Sequence, residues 1–213
     1  MIPHRHRSDL LDKLDLRPLP GGIEWSGKIA YLDRDGVLNV GSESYVNNTD
    51  EVIILPDAGI CVGKLRRAGF RICICTNQSP IDRGWWDHEQ LATIHDYIQA
   101  KLLNEDEDAH LDLILYSPYH PHTNAFARKG NPGMLQAGRQ ILEANNNGIL
   151  LNQSNFRYND AYIPFDESTS VMVGDRGVDM EAARNHSVNG ILVNGDVGIL
   201  DAIEEILNHR GST

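Results

Sequence analysis

Short apolar runs alternate along the chain with stretches in which apolar residues recur every three or four positions. The runs KIAYL (28–32), RICIC (71–75), LDLILY (111–116), SVMV (170–173) and GILV (190–193) have the length and composition of buried strands. Between them the spacing predicts helices. Pro56 and Asp57 open one, with Ile60, Cys61 and Leu65 on one face and Gly69 as its stop. Leu91, Ile94, Ile98 and Leu102 mark a second over 87–103. Further helical patterns cover 134–144, 179–185 and 199–207, and NEDED (104–108) reads as a solvated helix end or loop. Strand–helix alternation implies a parallel sheet covered on both faces. Right-handed crossovers make it a doubly wound, Rossmann-like α/β fold. That domain is expected over 28–213.

Two stretches carry no clear period. Residues 1–27 read as an N-terminal extension, with a short amphipathic piece at 10–16 followed by Pro18, Pro20, Gly21 and Gly22, which break regular structure. His4 and His6 lie in it, and a loose terminus is expected there. Residues 145–169 are Asn-rich and read as an insertion or long loop.

With 213 residues and 41% hydrophobic positions, the chain suits one domain with modest extras. Its formal charge of −11 repels nucleic acid and anionic membranes, so neither is expected as a partner. The same charge repels phosphorylated metabolites, so an anion site here must be locally positive. Cys61, Cys73 and Cys75 form no CxxC pair and read as reduced, buried thiols. The first residues lack the apolar stretch of a secretory signal, and no run approaches the ~20 residues of a membrane span, so the expected location is the cytoplasm.

In an open parallel sheet, ligands bind at the carboxyl ends of the strands. After KIAYL comes Asp33-Arg34-Asp35-Gly36; after RICIC, Thr76-Asn77-Gln78-Ser79; after SVMV, Gly174-Asp175-Arg176 and then Asp179. Arg128 and Lys129 precede Pro132-Gly133 and a helix start. Each signal alone is weak, since a DxD triplet is usually a turn and a strand-end Thr usually a cap. In this order and at strand ends they read as one site.

The set suits phosphoryl transfer. Asp33 can attack phosphorus and carry an aspartyl-phosphate. Asp35 can protonate the leaving oxygen and later deprotonate water. Gly36 allows a tight turn that presents N–H groups. A carboxylate about 4 Å from a phosphate dianion is repelled by roughly 8 kcal/mol at an effective dielectric near 20. That repulsion is worth about six decades of rate, so a cation must offset it. Asp33 and Asp175 offer the hard oxygen ligands that suit Mg²⁺. Lys129 adds a fixed positive charge, Thr76 and nearby N–H groups bind phosphoryl oxygens, and Asp179 supports the shell.

These residues resemble the haloacid dehalogenase superfamily of phosphatases over about 28–195, through DRDG (33–36), TNQS (76–79), Lys129 and GDRGVD (174–179). Within it the chain looks most like the D,D-heptose 1,7-bisphosphate phosphatases. YLDRDGVLN, Tyr45-Val46, TNQSPIDRG, RKGNPGML and MVGDRGVDMEAA follow that pattern in order. Histidinol-phosphate phosphatases are the nearest alternative, disfavoured by Ser79 and Arg83-Gly84. The resemblance implies Asp33 as nucleophile and Asp35 as acid/base and, through its carbonyl, a metal ligand beside Asp33 and Asp175. It implies phosphate binding by Thr76 and Asn77, neutralisation by Lys129, and contact of Arg128 and Arg176 with the distal part of a small phosphorylated sugar. The family's loop zinc is not expected, because its ligand positions read Ser117, Tyr119, Ala125 and Ala127, with only His120 and His122 nearby. Gly130 stands where the family usually has Pro. Only about 40 residues separate Asp33 from Thr76, too few for a large cap. Loops 39–55, 117–128 and 145–169 are therefore the expected walls, with Trp85 and Trp86 at the rim. A reading of another class is a phosphoaspartate signalling receiver, which needs neither Asp35 nor the late GDxxxD. Steady turnover of p-nitrophenyl phosphate with Mg²⁺ is the expected outcome; stoichiometric labelling without turnover would favour the receiver.

Overall fold

The computed structural model describes residues 1–209. Its sheet has six strands: β1 (His4–Arg5), β2 (Ile29–Leu32), β3 (Arg71–Asn77), β4 (Leu113–Ser117), β5 (Val171–Gly174) and β6 (Asn189–Leu192). They lie in the order β1-β4-β3-β2-β5-β6, and all neighbours are parallel except β1, which runs antiparallel to β4. Five helices accompany them: α1 (Ala58–Arg67), α2 (His88–Glu105), α3 (Gly133–Asn146), α4 (Gly177–His186) and α5 (Ile203–Asn208).

Alternation along the strands sorts the core into two layers. Ala30, Leu32, Ile72, Ile74, Val171 and Val173 pack with α1, α2 and α5. Ile29, Tyr31, Cys73, Cys75, Leu113, Leu115 and Met172 pack on the other face with α3 and α4. The sheet is thus doubly wound, as the alternation predicts. Among the described residues no helix is long and apolar enough to cross a membrane.

The structure differs from the pattern reading in four places. Ile60 is exposed; the face that α1 buries is Cys61, Val62 and Leu65. The helix expected over 199–207 is a 3₁₀ turn at Gly198–Asp201 followed by α5. The Ile199 amide donates to the Val37 carbonyl, and Gly198 at φ 71° lies against that same carbonyl, which draws the first turn out of α geometry. The acidic 104–108 stretch is more than a solvated end: Asp106 and Asp108 take the Arg67 guanidinium at 2.6 and 2.7 Å, and the Glu105 carboxylate accepts from the Gly59 amide at 2.8 Å.

The fourth difference is the N-terminal segment, which is docked rather than loose. His4 and Arg5 add to the β4 edge, and the His6 amide donates to the Ile114 carbonyl at 3.0 Å. Leu10 and Leu14 are buried in the α3 layer. Arg7 pairs with Asp96 and Glu89 on α2, and His6 Nε2 lies 3.0 Å from Asp96. An unpaired strand edge and an uncovered apolar layer supply the reason for docking.

Residues 147–170 are irregular apart from a 3₁₀ turn at Asn159–Ala161, yet Glu167 enters the core from them. Its carboxylate takes Arg139, His186 Nε2 (3.0 Å) and the Tyr31 hydroxyl (2.9 Å). Burial pushes the Glu167 carboxyl up, but the hydrogen bonds and charges of Arg139 and His186 outweigh it and hold the group at about 2. A carboxyl depressed in this way stabilises the fold fully above its ordinary 4.5, and that contribution is lost as pH falls toward about 2. Glu167→Gln leaves the buried guanidinium with only the partly exposed Glu143 carboxylate, at 3.6 Å, and should cost about 3 kcal/mol at pH 7. Urea unfolding at pH 7 and pH 3 checks this; the variant should show less of the acid loss than the wild type.

Candidate active site

Parallel strands deliver their carboxyl ends to one edge of the sheet, and the candidate residues collect there. The Asp33 amide extends the ladder by donating to Val173 (2.9 Å), and its Oδ1 accepts from the Arg34 amide at 2.7 Å. The Arg34 carbonyl accepts the amides of Val37, Leu38 and Asn39, which turns the chain sharply past the strand. Gly36 sits in that turn at φ 78°, against the Asp175 carboxylate, where any Cβ would collide.

Lys129 reaches the edge from the segment before α3. Its Nζ lies 2.6 Å from Asp33 Oδ2 and 2.8 Å from Asp179 Oδ1, and all three side chains are buried. The Lys129 amide donates to Asn77 Oδ1 at 3.0 Å. Asp179 also accepts the Arg176 amide at 3.1 Å, capping α4. The same carboxylate therefore fixes the helix and holds the ammonium. Thr76 is buried at the end of β3, where its hydroxyl accepts from Gln78 Nε2 at 2.9 Å.

Electrostatics set the state of each group. Burial pushes Asp33 up to about 7, against the Lys129 ammonium and with the help of Asp179 and Asp35. Burial acts to lower Lys129, but Asp33 and Asp179 outweigh it and hold it well above its ordinary value. Burial and Asp179 raise Asp175. Asp35 behaves oppositely: burial is outweighed by the Arg34 guanidinium and by hydrogen bonds from Asn39 (2.8 Å) and Gln78 (3.0 Å), so its carboxyl lies below the usual range. Arg34 is itself buried and grips Asp35 through Nε at 3.1 Å and through its terminal nitrogen at 2.8 and 2.9 Å.

This edge is short of positive charge. Among the described residues, Asp33, Asp175 and Asp179 are the group close enough to hold a metal, with one oxygen from each within 4.8 Å of the others. Asp175 Oδ1 is buried without a partner. Oxygen donors, a raised Asp33 and an unsatisfied carboxylate oxygen fit a hard divalent cation.

The cleft measures about 580 Å³, within the usual range for a small-molecule site. Asp33, Asp35, Gly36, Thr76, Asn77, Lys129, Asp175 and Arg176 line it. One wall comes from the 39–55 loop through Val40, Ser42, Glu43 and Tyr45. Another comes from Gly195 and Asp196 after β6, which the sequence reading missed; the strand-end rule carried one strand further would have found them. Neither loop 117–128 nor residues 145–169 line the cleft, contrary to expectation; Glu167 ties the latter to Arg139 and His186. Trp85 and Trp86, expected at the rim, do not line the cleft; Trp85 stands edge-on to the wall residue Tyr45 at 5.8 Å, and Trp86 Nε1 donates to Asn47.

Arg128 stands outside the cleft lining but within charge reach of Tyr45, Arg176 and Arg83, and one of its nitrogens donates to the Tyr119 carbonyl at 3.1 Å. Among the described residues none of Arg83, Arg128 and Arg176 pairs with a carboxylate, in a chain of charge −11. Loop 117–128 is braced by the Asp82 carboxylate on the His120 amide (2.9 Å) and by Phe126 edge-on to Tyr158 at 5.2 Å. Ala125 and Ala127 are buried within it, and the rings of His120 and His122 lie 3.4 Å apart.

A doubly wound sheet whose edge collects an aspartate, an ammonium and carboxylates close enough to hold a cation fits a phosphoryl-transfer enzyme. The HAD-hydrolase-like family model matches residues 126–211. The chain is 32% identical over 174 residues to D-glycero-beta-D-manno-heptose-1,7-bisphosphate 7-phosphatase of Pseudomonas aeruginosa, covering 82% of this chain and 85% of that protein. It is 32% identical over 160 residues to the Escherichia coli K12 enzyme of the same name, covering 72% and 71%. The fold is also that of the D,D-heptose 1,7-bisphosphate phosphatase from B. bronchiseptica, solved with magnesium and phosphate. That likeness has a TM-score of 0.64 and 24% identity, and covers 84% of this chain and 98% of that one. The chain belongs to the haloacid dehalogenase-like hydrolase family and is one of its phosphatases.

Gly36→Ala should displace the Asp175 carboxylate and strain the turn, lowering kcat/KM by at least about tenfold while costing about 1–3 kcal/mol of stability. Steady-state kinetics and thermal melting of the purified variant check both numbers.

Proposed function

We propose that the chain removes the 7-phosphate of D-glycero-D-manno-heptose 1,7-bisphosphate through an aspartyl-phosphate on Asp33, with Mg²⁺ as cofactor. The observation that carries the chemistry is the Lys129 ammonium locked between Asp33 and Asp179 beside Asp175. The substrate follows from the relatives' activity and from the cluster of unpaired guanidinium groups at the mouth.

Asp33 attacks phosphorus in line with the ester oxygen. The P–O ester bond breaks as the aspartyl-phosphate bond forms, and the departing sugar oxygen takes a proton from Asp35. Water then attacks the aspartyl-phosphate and gives its proton to Asp35; inorganic phosphate leaves and Asp33 is restored. Arg34, Asn39 and Gln78 keep Asp35 ionised at rest, the state that deprotonates water. A phosphate dianion close by raises the Asp35 pKa and favours the protonated state that the first transfer requires. Lys129, Thr76 and Asn77 neutralise and orient the phosphoryl oxygens.

Asp33 and Asp175 would hold Mg²⁺ with the carbonyl of Asp35, while Asp179 keeps Lys129 and α4 in register. Bound there, the ion supplies the charge that offsets repulsion between Asp33 and the phosphate. We assign no zinc to loop 117–128, whose Ser117, Tyr119, Ala125 and Ala127 offer neither thiolate nor imidazole. Arg128 and Arg176 take the distal phosphate, and Glu43 and Asp196 accept from sugar hydroxyls. Three free, buried cysteines accord with a reducing cytoplasm.

Across a panel of phosphorylated metabolites the heptose bisphosphate should give the highest kcat/KM. Asp33→Asn should lose about 10⁴-fold or more on every substrate. Removal of divalent metal should abolish turnover until Mg²⁺ is returned, and metal analysis should find no stoichiometric zinc. Near-normal turnover by Asp33→Asn would remove the proposed nucleophile.

A further inference from the structure

The N-terminal residues touch the loop that carries Arg128. β1 lies along β4, and Pro3 is buried beside it. The Tyr119 hydroxyl donates to the Ile2 carbonyl at 2.9 Å and lies 3.4 Å from His4 Nε2. The ring of His4 meets that of Tyr119 edge-on at 5.9 Å and stacks on His88 at 4.9 Å. His88 Nδ1 in turn lies 2.9 Å from the Tyr116 hydroxyl. The carbonyl of the same Tyr119 accepts Arg128 at 3.1 Å. One residue therefore receives the N-terminal segment through its hydroxyl and the arginine through its backbone. On the far side of the loop the Tyr158 hydroxyl donates to the Met1 carbonyl at 3.4 Å, and its ring braces Phe126. Arg128 is half-buried, and its backbone is held only locally, by its amide on Ala125 (2.9 Å) and its carbonyl under the Asn131 amide (3.0 Å).

We infer that Tyr119 is a positioning residue, through which the N-terminal segment aims Arg128 at the distal group of the substrate. A guanidinium on a long side chain loses rotamer freedom when it binds an anion, and a fixed acceptor on one nitrogen removes part of that loss beforehand. The carbonyl of Tyr119 is such an acceptor only while its own ring is anchored. The residues that read as a loose extension thereby bear on substrate affinity at a cleft that none of them lines. The inference rests on the reading of Arg128 as a distal-phosphate contact.

The test compares wild type, Tyr119→Phe, Arg128→Ala and the double variant on heptose 1,7-bisphosphate and on p-nitrophenyl phosphate, which has no distal anion. Tyr119→Phe keeps the ring and loses only the hydroxyl. Loss of one hydrogen bond predicts a KM for the bisphosphate raised about three- to tenfold, with kcat within about twofold and p-nitrophenyl phosphate kinetics unchanged. Arg128→Ala should raise the bisphosphate KM further, and adding Tyr119→Phe to it should change nothing more. An unchanged KM in Tyr119→Phe, with a raised one in Arg128→Ala, overturns the inference and leaves the substrate reading standing. Additive effects, or equal losses on both substrates, also overturn it, since Tyr119 would then act independently of Arg128 or only on folding. An unchanged KM in Arg128→Ala removes the substrate reading and the inference together.

Discussion

Carboxylates crowd one end of this sheet, and most of the site can be read as the means by which that crowding is tolerated. Asp33, Asp35, Asp175 and Asp179 all lie at the carboxyl edge, three of them with an oxygen within 4.8 Å of the others. Each is stabilised differently. Asp33 and Asp179 share an ammonium, Asp179 also caps a helix, Asp35 has a buried guanidinium, and Asp175 keeps an oxygen without a partner. The unevenness is chemically useful. Groups at the same edge differ in proton affinity because their partners differ, so one can act as a nucleophile while another exchanges protons.

The framework around this edge was legible in the sequence because buried parallel strands are short apolar runs and their ends are marked by polar clusters. KIAYL followed by Asp33, RICIC followed by Thr76 and SVMV followed by Asp175 needed no knowledge of tertiary contacts. Other features had no local signature. A two-residue strand such as β1 is too short to show a period, so its pairing with β4 could not be read from the chain. Ile60 follows the helical spacing and is nevertheless exposed. The grip of Arg34, Asn39 and Gln78 on Asp35 joins residues up to 43 positions apart, and sequence spacing gives no hint of it. Gly195 and Asp196 are within reach of the strand-end rule, since only Asn194 separates them from the run that ends at Val193.

Of the irregular segments, the 39–55 loop walls the cleft as expected, whereas the Asn-rich segment serves the core instead. The Asn-rich 147–170 stretch runs away from the cleft and plugs Glu167 into a buried Arg139–His186 pair near the opposite end of the sheet. The 39–55 loop, far shorter than a lid domain, supplies the wall beside Asp35 and places Tyr45 at φ 65° against Trp85, with the Tyr45 hydroxyl 2.9 Å from Ser79. An open cleft walled by loops leaves much of a bound molecule in contact with solvent, so selectivity must come from placed polar groups more than from enclosure.

The antiparallel pairing of β1 with β4 has a consequence beyond the site. A bare β4 would present a row of free amides and carbonyls beside Tyr116, a ready template on which another chain could build a strand. Two N-terminal residues, followed by charged Arg7 and the turn it enters at φ 52°, close that template and bend away before a longer ribbon can form. The chain's early residues thus occupy the stretch of β4 on which a strand from elsewhere could otherwise pair.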